Sequence, residues 1–188
     1  MAYENPPYQV VEEDGGFELR QYGTYIVAEV VLEGDYARTL SSGFRILADY
    51  IFGNNRQTAH IAMTAPVTGQ PATTAETIGM TAPVTAQIHS ADRYRIAFMM
   101  PSQYSMDTLP EPVDRRIGFR VLPAHRAAAL RFSGSLNEES GLKRWRELQL
   151  WMKDRRLQPA GLPIYANYSP PWIPPFFRRN EILVEVSR

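Results

Sequence analysis

The chain has 188 residues with 20 Lys and Arg against 20 Asp and Glu, so its formal charge at pH 7 is zero. No basic surplus is left to grip nucleic-acid phosphates or an anionic membrane surface, and neither is an expected partner. It has no cysteine, which excludes disulfides, thiolate nucleophiles, iron–sulfur clusters and Cys-ligated zinc, and its length and 44% hydrophobic content suit one domain over residues 1–188.

In chain order, the opening MAYENPPYQVVEED has no basic stretch followed by an apolar one, and the apolar run at 25–32 is interrupted by Glu29. Neither a signal peptide nor a membrane span is expected, which makes the cytoplasm the default location. Strands are predicted at 8–12, 17–21 and 25–32, where β-branched and aromatic residues concentrate, with Glu12-Glu13-Asp14-Gly15-Gly16 as a solvated hairpin turn. Asp35 then signals a helix start, and helical spacing runs over 36–52. Tyr36, Leu40, Leu47, Tyr50 and Ile51 make the expected core stripe, but Phe44, Ala48 and Phe52 widen it sideways to roughly half the circumference. That flank needs cover beyond the sheet: a loop, a subunit partner or a bound apolar ligand.

The octapeptide IAMTAPVT at 61–68 recurs as IGMTAPVT at 78–85, two extended segments joined by a loop over 70–77, with Pro66 and Pro83 expected at strand ends or edges. Further strands are predicted at 94–100, 117–122, 127–132 and 181–186, and a second helix over 138–157 with Leu142, Trp145, Leu148 and Met152 on one narrow stripe. Before the last strand, YANYSPPWIPPFF at 165–177 carries four prolines and large apolar side chains. Such a stiff loop can line a pocket at low entropic cost, or plug the end of the sheet.

A longer repetition organises these elements. FELR at 17–20 matches IGFR at 117–120, and residues 26–34 match 126–134, both at an offset of 100. Each half reads strand, strand, helix, strand, over about 17–100 and 117–186. Hairpins alternating with lone helices indicate an α+β fold: two helices laid on a largely antiparallel sheet or open barrel.

Common catalytic signatures are absent: GxGxxG, GxxxxGK[ST], HExxH and GxSxG do not occur. His60, His89 and His125 lie far apart and none has a second ligand at i+2 to i+4, so no protein-only metal site is expected. His60, beside the first MTAPV copy, is the candidate axial ligand to a haem iron. Arg178 and Arg179 either clamp a ligand carboxylate or stand exposed at a strand end.

Pro7-Tyr8-x-Val10, FELRQY at 17–22, DYIFGNN at 49–55, the MTAPV copies, 98–101, Tyr168-x-Pro-Pro and RRNE at 178–181 together resemble the SOUL / haem-binding protein family, in order and over nearly the whole chain. The resemblance implies a distorted antiparallel β-barrel flanked by two helices with pseudo-twofold symmetry. It also implies non-covalent binding of haem or another tetrapyrrole in an apolar cleft between the first helix and the Pro-rich loop. By motif position the helix contributes Ser41, Phe44, Ala48 and Asp49, and the loop Trp172 and Ile173. In haem-binding relatives the positions of Asp49 and Ile173 carry lysines proposed to meet the propionates; here Arg45 and Arg178 are the candidate substitutes. The expected function is a non-catalytic intracellular carrier or buffer of haem, porphyrin or another apolar small molecule. Its alternatives are a small-molecule effector-binding (sensor) domain, whose plan is similar, and a tetrapyrrole-modifying enzyme. Exposed apolar loops also permit a homo-oligomer.

Overall fold

The computed structural model describes residues 4–71, 93–169 and 173–187; the second MTAPV copy, Pro83, His89 and Trp172 lie outside them. The elements in order are β1 (Tyr8–Asp14), β2 (Phe17–Tyr22), β3 (Tyr25–Glu33), α1 (Tyr36–Ile51), β4 (Val67–Pro71), β5 (Arg93–Met99), β6 (Gly118–Leu122), β7 (His125–Phe132), α2 (Glu138–Asp154), β8 (Gln158–Pro159), β9 (Ile164–Asn167) and β10 (Asn180–Ser187). Both helices start where local chemistry places them. Asp35 accepts a hydrogen bond from the backbone N–H of Arg38, and Asn137 and Ser140 form a reciprocal capping box.

Three strands go beyond the sequence reading. β4 contains Gly69 and Pro71, poor strand formers, and takes in Gln70 and Pro71 from the expected loop. β9 is four residues inside the Pro-rich segment, and β8 is only two residues long. Pro66 does stand at a strand end, immediately before β4.

The sheet curls into a half-barrel with strand order β1-β2-β7-β10-β9-β4-β5-β3-β6, every pairing antiparallel, and β8 added beside β10. The expected hairpins after β1–β2 do not form. β2 pairs with β7 (Tyr22↔His125), not with β3, and β3 pairs with β6 (Tyr25↔Leu122), although Gly23-Thr24 and Pro123-Ala124 are short enough for tight turns. The first strand of each half therefore lies on the sheet of the other half, and the halves also join along β4–β9 (Thr68↔Ala166).

Alternation along the strands sends one set of side chains to each face. On the convex face, Ala28, Val30, Ile96 and Phe98 pack beneath Leu47, Tyr50 and Ile51 of α1. Ala128, Leu130, Ile182 and Val184 pack beneath Leu142, Trp145, Leu148 and Met152 of α2. Gly43 lets α1 approach closely: a Cβ there would sit 2.6 Å from Ile96 Cγ1. Tyr36 joins the two layers, edge-on to Tyr94 at 5.4 Å and to Tyr165 at 5.7 Å. Neither α1 nor α2, the two α-helices among the described residues, packs on the concave face.

Candidate functional site

The expected α1 residues share one face of the helix. Ser41, Phe44, Arg45 and Asp49 are exposed, while Ala48 is buried at the foot of the stripe. The Phe44 ring stands edge-on to Phe98 at 5.5 Å yet stays 37% exposed, and Phe52, two turns on, is 56% exposed. His60 is exposed with its ring 6.3 Å from that of Phe52, so it adjoins the same stripe. Around the apolar residues, Arg45 donates to Ser42 Oγ at 3.5 Å and Asp49 accepts from the side chain of Asn54. Two large aromatic surfaces thus face solvent beside groups that suit a ligand with an apolar plate and polar edges.

In the loop, Ile173 is half-buried and its carbonyl accepts from Arg178 Nε at 2.7 Å. Arg178 is thereby turned onto the loop's own backbone. A 3-10 turn at Pro175–Phe177 follows, anchored by Gly134 N–H donating to the Pro175 carbonyl at 3.0 Å. Phe176 and Phe177 are among the most exposed apolar side chains, with rings 4.5 Å apart. Trp172 lies outside the described residues. Arg179 is committed elsewhere: it pairs with Glu181 at 2.7 Å and stacks over Tyr168 at 4.2 Å.

Register relates helix and loop. Phe44 sits on Phe98, which faces Val67; Val67 faces Asn167, and Asn167 faces Asn180. β9 ends at Asn167 and β10 begins at Asn180 on this same row, two to three strand spacings from β5, or roughly 10–14 Å.

The concave face holds a polar constellation that the sequence reading did not single out as a site. Arg20 and Glu181, both fully buried, pair at 2.7 Å with a second bond at 3.0 Å, and Arg20 Nε also donates to Glu18 at 2.6 Å. Tyr168 donates to Glu181 at 2.7 Å, and Arg20 donates to the Tyr22 oxygen at 3.0 Å. Burial alone would raise the Glu181 carboxyl pKa, but the hydrogen bonds and charge of Arg20, with Arg179 and Tyr168, hold it below the ordinary carboxylate value. Burial likewise opposes charge on Arg20, and Glu181 and Tyr22 more than compensate, raising its pKa. Tyr22 and Tyr168 are pushed up chiefly by burial and stay protonated. The signal was available: Glu18, Arg20 and Tyr22 alternate along FELRQY, as Arg179 and Glu181 do in RRNE, and period-two spacing puts each set on one strand face.

In front of this constellation lies a cavity of about 180 Å³, lined by Tyr22, Tyr25, His125, Tyr168, Met99 and Leu183 among others. Among the described residues no group of three or more His, Cys, Asp or Glu could hold a metal ion, and no helix is long and apolar enough to cross a membrane.

The fold has counterparts among solved structures. The C-terminal domain of EcmrR superposes with a TM-score of 0.66 at 13% identity, covering 96% of this chain and 98% of that one. An EcmrR–DNA complex gives the same TM-score and identity over 96% of this chain and 58% of that one. A hydrolase from Listeria innocua gives 0.60 at 12% identity over 94% of each chain. At such identities the likeness is one of fold. No curated protein matches in sequence. The family model for the SOUL heme-binding protein matches residues 3–185. With a half-barrel and two flanking helices that fit it, and a match over almost its whole length, the chain belongs to the SOUL heme-binding protein family.

Proposed function

We propose that this chain is a non-catalytic intracellular carrier or buffer of haem or another tetrapyrrole, acting as a single domain. The ligand lies against the α1 face, with Phe44 and Ala48 beneath the macrocycle and Ser41, Arg45 and Asp49 at its polar edge. From the loop, Ile173 and Arg178 are the candidate contacts, and Trp172, outside the described residues, is assigned to the site by its motif position alone. The observation that carries the reading is the pair of solvent-facing rings Phe44 and Phe52 on a helix whose other face is fully packed. Membership of a heme-binding family supports the ligand class. His60, beside Phe52, is the residue that would meet a haem iron. Zero net charge supports partners that are neither nucleic acid nor membrane. Fold likeness to a hydrolase does not carry an activity to this chain.

The test is a titration of the purified protein with ferric haem and, in parallel, iron-free protoporphyrin, followed by the Soret band and Trp fluorescence. Saturable binding of both supports recognition of the macrocycle; binding of haem alone that His60→Ala abolishes supports iron ligation. Binding of neither overturns the proposal. Phe44→Asp should weaken binding at least ten-fold while leaving the circular dichroism spectrum unchanged, because the ring is partly exposed. Unchanged affinity would move the ligand off α1.

A further inference from the structure

The cavity on the concave face does not belong to the tetrapyrrole reading. It lies on the side of the sheet opposite α1, and its volume of about 180 Å³ is close to the ~150 Å³ apolar cavity known to admit benzene. One aromatic ring with short substituents fits.

Its charged lining is divided between two walls. On the β3–β5–β6 wall, Arg120 donates to Glu29 Oε2 through Nε at 3.0 Å and Nη2 at 2.8 Å, while Arg95 Nε stands 3.2 Å from Glu29 Oε1. Two guanidinium groups share one carboxylate there, leaving one positive charge in surplus. On the β10 wall, Glu185 lines the cavity and makes no ion pair among the described residues. The cavity is neutral in sum but positive on one side and negative on the other.

The rings between these walls are set in place beforehand. The Tyr22 and Tyr168 hydroxyls are engaged by the buried Arg20–Glu181 pair. His125 stacks on Tyr22 with ring centroids 5.1 Å apart and planes 8° from parallel, its Nδ1 lying 2.8 Å from the Pro123 carbonyl oxygen. Tyr25 is held to a pKa of about 12 chiefly by burial, with Arg120 and Glu185 acting on it in opposite directions. It therefore keeps its proton and remains a donor between the two charged walls. Rings that need no reordering lower the entropic cost of binding.

We infer that this cavity is a second binding site, independent of the tetrapyrrole surface, for a single-ring amphoteric molecule. Its carboxylate meets the Arg95–Arg120 wall, its ammonium meets Glu185, and its ring packs among Tyr22, Tyr25 and Tyr168. Carboxylate recognition suits the planar guanidinium fork, and ring-facing cations gain from the aromatic quadrupoles.

The test is calorimetric titration of the full chain with four single-ring probes: para-aminomethylbenzoate, benzylamine, benzoate and benzyl alcohol. The amphoteric probe should bind saturably and at least ten-fold tighter than each of the other three. Glu185→Gln should bring its affinity down to that of benzoate while leaving benzoate itself unchanged, and haem added to saturation should alter neither value. Equal affinity for all four probes, no saturable binding of any, or benzylamine binding as tightly as the amphoteric probe would each overturn the inference. Competition by haem would overturn the independence of the two sites. Glu185 is solvent-exposed, so the variant should keep the wild-type fold, which its circular dichroism spectrum checks.

Discussion

Glu181 and Arg20 show how a motif read as a family marker becomes a structural commitment. Neither is exposed, so removing one leaves the other's charge in the interior without its bidentate partner, with only Glu18 left beside Arg20 or Arg179 beside Glu181. Glu181→Gln should lower the unfolding free energy by about 3–5 kcal/mol, read from urea denaturation. The pH dependence follows from the direction of the shift. The folded carboxyl titrates below its ordinary value of 4.5, so the unfolded chain takes up the proton first. Its contribution is complete above that value and is lost as pH falls through the folded pKa. The wild type should therefore lose stability steeply in that acid range, and Glu181→Gln should flatten the slope there. An acid limb of equal steepness in both proteins would show that other carboxylates dominate it.

Among the elements, α1 and α2 have different obligations although they occupy matching places. α2 buries its stripe against β7 and β10 and turns charged residues outward, as the narrow pattern of Leu142, Trp145, Leu148 and Met152 predicted. α1 buries Leu47, Tyr50 and Ile51 but leaves Phe44 and Phe52 uncovered, in agreement with the wider apolar arc read from its spacing. Its close approach to β5 depends on Gly43. Alanine would gain up to about 1 kcal/mol of helix propensity there, but its methyl would meet Ile96 Cγ1 and Cβ, and overpacking of this kind costs about 1–3 kcal/mol. Gly43→Ala should therefore lower the melting temperature. Gly118→Ala, with nothing within 4 Å of the added carbon, should change stability by no more than about 0.5 kcal/mol. If both variants melted alike, helix and sheet would not be in the contact described.

At the scale of the whole molecule, the exchange of first strands binds the two halves together. β2 lies against β7 and β6 against β3, and β4 and β9 close the seam between them. Neither half can open its sheet without taking a strand from the other, so unfolding should be one transition. Trp145 and Trp151, both in α2, report the second half, whereas far-UV circular dichroism reports both. The two probes should give coincident urea curves; separated midpoints would show that the halves unfold independently.

What the sequence determined by itself is local or periodic. The positions of β1, β2, β3, α1, β5, β6, β7, α2 and β10, the Asp35 and Asn137 caps, and the surplus apolar flank of α1 all follow from side-chain spacing within about twenty residues. Motif order over the full length was enough for the family. β9 and the last three residues of β4 escaped because Gly69, Pro71 and the prolines beside β9 carry poor strand propensity, and partners on both sides stabilise them regardless. Tertiary structure alone decided which strands pair, because two-residue links are equally compatible with hairpins and with crossing to another sheet edge. It alone brought Arg20 to Glu181, 161 positions apart, and set Arg95, Arg120 and Glu185 around one cavity. Such contacts depend on register and on the curl of the sheet, which no local pattern encodes.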